Sequence, residues 1–308
     1  MPNALRSKRD FLRITDLSRE ELLELIERAA EWKLLGKNGP RPLERMSIAL
    51  IFEKASTRTR VSFQVGIHQL GGNSLMLSPA ETQLGRGEPV KDTARVLSRY
   101  LDALVVRTFQ HSTIEEMATR ASVPVVNALT DASHPCQLLA DLLTVTERFG
   151  ADALRRADLD VAWIGDGNNM ANSWLEACSV LGFRLRLACP EGYDPDPALL
   201  ARAGSKARVV RNPRDAVHGA HVVNTDVWAS MGQEAEKAER QRHFAGFIVD
   251  RALMAGADPK AMVMHCLPAH RGEEIADDVI EGAQSAVFDE AENRLHAQKA
   301  LLELLLAQ

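Results

Sequence analysis

The 308-residue chain has little cysteine and no long apolar run, and each of these shortages excludes a class of protein. Its cysteines stand at positions 136, 178, 189 and 266, so neighbouring residues form neither a CxxC redox pair nor a zinc knuckle. No uncharged stretch of membrane-spanning length occurs, and the first ten residues carry Arg6, Lys8 and Arg9 without an apolar run behind them. We therefore expect a protein of the reducing cytoplasm with no export signal and no membrane partner.

The chain also lacks a strong excess of charge. It has 37 Lys and Arg against 42 Asp and Glu, which gives a formal net charge of −5, and neither end is a charged tail. Nucleic-acid binding depends on a basic surface, so we expect no nucleic-acid partner. The GK[ST] signature of a nucleotide P-loop is also missing. An anion site in this protein must therefore be local and suited to a small anion.

The pattern of the chain predicts an α/β fold. Nine short, apolar, β-branched runs are typical of strands: 47–52, 74–77, 103–107, 124–128, 161–164, 184–188, 208–211, 221–225 and 262–266. Amphipathic segments between them predict helices: 61–70, 90–101, 113–121, 136–149, 172–181 and 234–251. This alternation is typical of doubly wound parallel sheets with helices on both faces.

The length of the chain favours two domains, because single domains commonly hold about 150 residues. Two sheets of four or five strands fit this length better than one large sheet. The helix that ends near Gly150, followed by the polar residues 151–160, is the best boundary. The Leu-rich residues 301–306 predict a final amphipathic helix that packs on the body of the protein.

In open α/β sheets ligands bind where strands end and helices begin, so the residues after each strand are the candidate site. After the first strand come Ser56, Thr57, Arg58 and Thr59, at the start of a helix. Ser56 alone is most simply a helix cap. The run as a whole combines backbone N–H groups at a helix start with guanidinium groups, which favours a site for a doubly charged phosphate.

Two further strand ends in the first half carry candidate residues. Arg107 closes its strand, and by itself it could simply be the first solvated residue. His134 precedes Pro135 at the start of a helix, where the positive end of the helix dipole discourages protonation. A neutral imidazole at that position can donate a hydrogen bond to a substrate carbonyl group.

The strand ends of the second half carry polar groups of a different kind. The sequence GDGNN at 165–169 partly matches a dinucleotide fingerprint, but Met170 stands where that fingerprint needs Gly or Ala. Its paired asparagines can instead hydrogen-bond a zwitterionic ligand. Asp226 could pair with a substrate ammonium group, although it could equally be a cap. Cys266 places a thiol at the end of the last strand and is a candidate by position only.

Taken together, these motifs resemble the ornithine branch of the aspartate/ornithine carbamoyltransferase family. The resemblance covers nearly the whole chain. It rests on STRTR at 56–60, RTF at 107–109, HPCQ at 134–137, DGNN at 166–169, DVWASMG at 226–232, HCLP at 265–268 and ENR at 292–294. Aspartate carbamoyltransferases share the STRT and HPxQ patterns, whereas SMG and HCLP are typical of the ornithine branch.

The resemblance implies a role for each half of the chain. Residues 1–150, with 291–308 returning to them, would bind carbamoyl phosphate, and residues 151–290 would bind L-ornithine. The phosphate would be held by Ser56, Thr57, Arg58, Thr59, Arg107 and Arg294, and the carbamoyl group by His134 and Gln137. Ornithine would be held by Asn169, Asp226, Ser230 and Met231. Cys266 and Leu267 match a pair that lies between the two substrates, and Gln83 matches a glutamine that reaches a neighbouring site in a homotrimer.

The implied reaction is carbamoyl transfer to the δ-amine of ornithine, which yields citrulline and phosphate and needs no metal or organic cofactor. Arg107 and His134 would stabilise the oxyanion, while Asp226 and Cys266 would position the amine. The group that takes the amine proton stays open, as does the direction of the reaction in the cell. The alternatives are a carbamoyltransferase for another amine, a nicotinamide-dependent oxidoreductase built on Gly165, and a non-catalytic carbamoyl phosphate binder.

Overall fold

The computed structural model describes residues 8–54, 56–78, 87–156, 158–229 and 234–307. Within these residues the strands form two entirely parallel sheets. The strands of the first sheet are β1 (Ser47–Phe52), β2 (Asn73–Leu77), β3 (Ala103–Arg107) and β4 (Val125–Leu129). Those of the second are β5 (Asp160–Ile164), β6 (Arg184–Ala188), β7 (Ala207–Val210), β8 (Val222–Thr225) and β9 (Met262–His265). The predicted α/β fold with two parallel sheets is confirmed.

Helices connect the strands of both sheets. In the first half they are α1 (Arg19–Leu35), α2 (Thr57–Gln69), α3 (Val90–Leu97), α4 (His111–Arg120) and α5 (Pro135–Phe149). The second half holds α6 (Ala153–Arg156), α7 (Asn169–Leu181), α8 (Pro197–Ala203), α9 (Pro213–Val217), α10 (Lys237–His243), α11 (Arg251–Met254), α12 (Asp277–Ile280) and α13 (Val287–Leu306). None of the described helices is both long enough and apolar enough to cross a membrane.

The order of strands gives each sheet one switch point, where successive connections run to opposite sides. The first sheet has the order β2-β1-β3-β4, so its switch point lies between β1 and β3. The second has the order β7-β6-β5-β8-β9, with the switch point between β5 and β8. Ligands of such sheets bind beyond the carboxyl ends of the strands at this point. The strand order therefore indicates that ligands bind near the residues that follow β1, β3, β5 and β8.

Both sheets owe their stability to apolar strands that are covered on both faces. Of β1, β3, β5 and β8, only the first residues Ser47 and Asp160 are not fully buried. Burial of this kind removes roughly 25 cal/mol of unfavourable hydration per Å² of apolar surface. The switch-point strands are thus rigid supports for the polar residues at their ends.

The chain divides into two compact units, and the last helix belongs to both. The first unit consists of residues Met1–Leu139 and Arg294–Gln308, and the second of Ala140–Asn293. The end of α13 packs in the first unit, where Lys299 donates to the carbonyl oxygen of Gly36 over 2.9 Å. A final helix that packs back on the first unit is therefore confirmed, although it is longer than residues 301–306. The division at residues 150 and 290 stays a prediction.

One predicted helix is wrong in the structure. The segment 234–251 is a short 3-10 turn followed by α10, which ends at His243, and α11 begins only at Arg251. Gly246 has a φ of +91°, a left-handed conformation that interrupts the helix and that glycine adopts without strain. Amphipathic spacing continues across the break, which is why the sequence pattern does not reveal it.

Candidate active site

The first cluster of candidate residues surrounds the start of α2 in the first unit. Ser56 is the N-cap of this helix, and its hydroxyl accepts a hydrogen bond from the backbone N–H of Thr59 over 3.3 Å. Thr57, Arg58 and Thr59 form the first turn. The Nε atom of Arg58 is buried and has no hydrogen-bond partner among the described residues. An unpartnered guanidinium N–H group beside a helix N-terminus is suited to an anion.

Two buried arginines add positive charge to the same unit. Arg107, the last residue of β3, is 7% exposed, and Arg294 in α13 is 3% exposed. A side-chain nitrogen of Arg294 donates to the hydroxyl of Thr59 over 2.6 Å, so the C-terminal helix reaches the first turn of α2. Arg107 also depresses the pKa of Lys54, after the larger effect of burial. The cluster is therefore strongly electropositive, as a phosphate site requires.

His134 lies within this electropositive cluster and is neutral at physiological pH. It immediately precedes α5 and is 4% exposed. Burial lowers its pKa well below 6.5, and the positive charges of Arg294 and Arg107 lower it further. Gln137, in the first turn of the same helix, is fully buried. A neutral imidazole in this position can donate a hydrogen bond to a carbonyl oxygen without adding another positive charge.

The second cluster lies at the switch point of the second sheet and is centred on Asp226. Its Oδ2 atom accepts a hydrogen bond from the side chain of Asn168 over 2.8 Å. Its Oδ1 atom accepts from the backbone N–H of Val227 at 2.8 Å and from the thiol of Cys266 at 3.3 Å. Asn169, the first residue of α7, follows directly after Asn168. The loops after β5, β8 and β9 thus meet around a single carboxylate.

Cys266 is a thiol rather than a thiolate in this environment. Burial raises its pKa well above 9.0, and the neighbouring charge of Asp226 raises it further. The next residue, Leu267, has a left-handed φ of +57°, which is rare for a non-glycine residue. Its backbone N–H donates to Nδ1 of His265 over 2.9 Å, and Nε2 of His265 lies 3.0 Å from Oε1 of Glu274. Buried His265 and Glu274 therefore hold the turn that carries Cys266.

Among the residues that the structure describes, two groups of side chains have metal-ligand atoms close together, and in both groups some of these atoms already have protein partners. In the first, Asp226, His265 and Cys266, the Nδ1 lone pair of His265 already accepts the N–H of Leu267. In the second, His270, Glu273 and Glu274, the side chain of Lys237 lies 3.0 Å from Glu273 and supplies the positive charge.

The partial dinucleotide fingerprint has a different explanation in the structure. Gly165 has a φ of +133°, which glycine adopts readily. A Cβ atom on Gly167 would lie 2.2 Å from the backbone nitrogen of Pro195. The chain's own backbone occupies the space that this glycine leaves open, so the GxG spacing serves packing. It offers no support for the nicotinamide-dependent alternative.

The structure brings most of the sequence-predicted residues into one or the other cluster. Three of them, Gln83, Ser230 and Met231, lie outside the described residues. Cys266 and Leu267, which the resemblance assigns partly to carbamoyl phosphate, belong to the second unit. Sequence reasoning did not single out His265 and Glu274 as supports of Cys266. Their hydrogen bond joins positions nine residues apart through the fold, and the sequence carries no signal for it.

Both halves of the chain match domain models of the same protein family. Residues 9–147 match the family described as "Aspartate/ornithine carbamoyltransferase, carbamoyl-P binding domain". Residues 157–305 match "Aspartate/ornithine carbamoyltransferase, Asp/Orn binding domain". The two matches follow one another along the chain and cover almost all of it.

Individual relatives agree with these matches. The chain is 54% identical to the ornithine carbamoyltransferase of Pelobacter propionicus, over 97% of this chain and 98% of the relative. It is also 54% identical to the "Ornithine carbamoyltransferase, anabolic" of Pseudomonas aeruginosa, with the same two coverages. Among solved structures, the ornithine carbamoyltransferase of Pyrococcus furiosus superimposes with a TM-score of 0.92 at 47% identity, covering 98% of both chains.

Proposed function

The chain belongs to the aspartate/ornithine carbamoyltransferase family, and on that premise we propose that it transfers the carbamoyl group of carbamoyl phosphate to L-ornithine. The products are L-citrulline and inorganic phosphate. The observation that carries the proposal is the high identity, over nearly the full length, to relatives named ornithine carbamoyltransferase. The two clusters described above supply the groups that each substrate needs.

Carbamoyl phosphate binds in the first unit in this proposal. Its phosphate accepts hydrogen bonds from the first turn of α2, where Ser56, Thr57, Arg58 and Thr59 stand, and from Arg107 and Arg294. This assignment is supported by the buried Nε of Arg58 and by the hydrogen bond between Arg294 and Thr59. Charge-assisted hydrogen bonds of this kind are about twice as strong as neutral ones. They also stabilise the charge that grows on the phosphate as it leaves.

The carbamoyl group lies against His134 and Gln137 in this proposal. His134 donates to the carbonyl oxygen as a neutral imidazole, which its low pKa supports. Arg107 supplies a second donor, and together they stabilise the oxyanion of the tetrahedral intermediate. A single preorganised donor of this type contributes roughly 10²- to 10³-fold to the rate.

L-Ornithine binds in the second unit, with Asn169 and Asp226 as contacts, and with Ser230 and Met231 in addition. Asp226 already accepts three hydrogen bonds, which fix its carboxylate in one orientation. Its remaining acceptor capacity faces an amino group of the substrate. The thiol of Cys266, protonated because its pKa is raised, serves as a hydrogen-bond partner and not as a nucleophile. The family resemblance pairs it with Leu267.

The bond changes balance without any other reactant. The neutral δ-amine donates its lone pair to the carbonyl carbon, a C–N bond forms, and the carbonyl oxygen becomes an oxyanion. When the intermediate collapses, the bond between the carbonyl carbon and the phosphate oxygen breaks, and phosphate leaves with that electron pair. The attacking nitrogen gives up one proton, and the departing phosphate takes up one proton, so that it is released as hydrogen phosphate. Because only the unprotonated amine can attack, the rate at limiting ornithine should rise with pH until that amine is neutral.

The direct test measures carbamoylated product from carbamoyl phosphate with L-ornithine, putrescine, L-aspartate and N-acetylornithine in parallel assays. We expect product from L-ornithine and little from the other three amines. Turnover of another amine alone would retain the carbamoyl phosphate site and replace the acceptor. No turnover with any of the four amines would contradict the proposed activity.

We also infer a homotrimer in which Gln83 of one subunit reaches the phosphate site of its neighbour. Exposed apolar side chains in the first unit support an interface: Val61 and Val65 lie one turn apart on α2, and Leu75 lies on the edge strand β2. The test mixes two variants with impaired phosphate sites, Gln83→Ala and Arg58→Ala, under conditions that exchange subunits. Shared sites should recover activity because some sites then hold both native residues. No recovery despite proven exchange would contradict sharing.

The biosynthetic direction and a cytoplasmic location complete the proposal. The word "anabolic" in the name of the Pseudomonas aeruginosa relative supports synthesis of citrulline for arginine production. All four cysteines are free thiols, in keeping with the reducing compartment predicted from the sequence. Growth of an arginine-requiring strain that lacks its own activity, on expression of this chain, would support this direction.

A further inference from the structure

A buried ion pair links two loops of the second unit, outside the residues assigned to either substrate. Arg240 in α10 and Asp166 after β5 are 6% and 8% exposed. One terminal nitrogen of Arg240 donates both to Oδ2 of Asp166, at 2.8 Å, and to the carbonyl oxygen of Trp228, at 2.9 Å. Its Nε atom donates to Glu236 over 2.9 Å. The guanidinium group therefore holds the loop after β5 and the loop after β8 at the same time.

These two loops carry the carboxylate on which ornithine binding depends. Asp166 stands two residues before Asn168, whose side chain donates to Asp226. Trp228 stands two residues after Asp226. Arg240 thus adds a second link between the two loops that the contact of Asn168 with Asp226 already joins. If Arg240 were lost, the backbone at Trp228 would lose a hydrogen bond, and the loop that carries Asp226 would lose one of its supports.

We propose that Arg240 and Asp166 are positioning residues that set the affinity for the amino-acid acceptor. They act through Asp226 and Trp228 and touch neither substrate. The inference rests on the proposed function, since it deepens the assignment of the acceptor site in the second unit. Substitution of either residue should therefore change the affinity for the acceptor and leave the affinity for carbamoyl phosphate unchanged. Both residues belong to the second unit, whereas the phosphate-binding residues belong to the first.

Because this ion pair is buried, it contributes little to the free energy of unfolding. Burial raises the pKa of Asp166 to about 6, and the charge of Arg240 only partly offsets that effect. Buried ion pairs replaced by apolar groups of similar volume often leave a protein equally stable or more stable. An apolar pair would however leave the carbonyl oxygen of Trp228 unheld. The pair therefore contributes mainly by fixing the positions of the two loops.

The test compares Arg240→Met, Asp166→Asn and the double variant with the native protein. Arg242→Met is the matched control, since Arg242 is an exposed arginine on the same helix. Initial rates give KM for ornithine at saturating carbamoyl phosphate, and calorimetry gives Kd for carbamoyl phosphate alone. We expect at least a tenfold higher ornithine KM in each single variant, a Kd for carbamoyl phosphate within twofold of native, and native constants in Arg242→Met. Arg240→Lys, which keeps one donor group, should recover part of the ornithine affinity.

The double variant distinguishes positioning from plain stability. Removing both charges should return the melting temperature toward the native value, while the ornithine KM stays high. The inference is overturned if the ornithine KM recovers together with the melting temperature, or if it never changes. Wild-type activity on the amine panel tests the proposed function separately. If the preferred acceptor is another amine, the same constants are measured with that amine.

Discussion

The thiol of Cys266 donates a hydrogen bond to the Asp226 carboxylate over 3.3 Å. Burial is the main reason that the pKa of this thiol is raised, and the negative charge of Asp226 raises it further. The pair is therefore a rigid, protonated hydrogen-bonding unit. It is unlike the activated thiolates of cysteine enzymes, whose thiol pKa values are lowered by nearby positive charge.

Alkylation of Cys266 should accordingly be slow and should respond to its neighbour. In Asp226→Asn the carboxylate that opposes the thiolate is gone, so we expect faster modification by iodoacetamide at pH 8. The gain should be about tenfold for each unit by which the pKa falls. Mass spectrometry of the peptide that contains Cys266 measures the rate. An unchanged or lower rate would show that the carboxylate does not control the thiol.

Arg58→Ala should damage carbamoyl phosphate binding and turnover. Loss of one charge-assisted clamp should reduce kcat/KM for carbamoyl phosphate by roughly 10²- to 10³-fold. Arg60→Ala is the matched control, because Arg60 lies on the same helix and is exposed. We expect near-native rates from that control. Equal effects of the two substitutions in steady-state assays would refute a specific role for Arg58.

His134 should make the folded protein less stable as the pH falls below about 6.5. Its folded pKa is well below that value, so the unfolded chain takes up a proton that the folded chain does not. Each such group contributes up to about 1.4 kcal/mol per pH unit of lost stability. In His134→Gln this contribution disappears. The free energy of unfolding, measured in urea between pH 5 and 7, should then fall less steeply as the pH decreases. A decrease as steep as that of the native protein would argue against a neutral His134.

Glu303→Gln should weaken the packing of α13 on α1. The carboxylate accepts two hydrogen bonds from Arg28, at 2.7 and 2.8 Å, and one from Trp32, at 2.7 Å. Because Arg28 is partly exposed, we expect a loss of only about 1 kcal/mol, or about 2–4 °C in Tm. The ornithine KM should stay native. Glu31→Gln, which removes a more exposed partner of Arg28, should have a smaller effect in the same calorimetric scans.

The sequence predicts the architecture well because strand and helix periodicity are local properties. All nine strands lie within one or two residues of their predicted positions, since each is a short apolar run bounded by polar residues. Helix α1 has a local signal that the strand pattern does not contain. Ser18 and Glu21 form a capping box, in which each side chain accepts from the other's backbone N–H. The S-x-x-E spacing alone would have predicted that helix start.

The supports of the candidate site have no comparable signal. Arg240 lies in a charged stretch that resembles any solvated helix face, and only the fold brings it to Asp166. The same holds for Glu274 beside His265. Residues at strand ends are predictable because topology concentrates function there. The residues behind them depend on tertiary contacts between distant parts of the chain.

The route of α13 has a consequence for synthesis of the protein on the ribosome. Arg294 completes the cluster at Thr59, and buried Lys299 and Leu301 complete the interior of the first unit. These residues follow the second unit in sequence, so the first unit cannot finish folding until the second has been synthesised. A chain stopped by a late nonsense codon would carry all four strands of the first sheet and still expose the surface that α13 covers. We expect such a product to lack the contact of Arg294 with Thr59 and to be degraded before it can act.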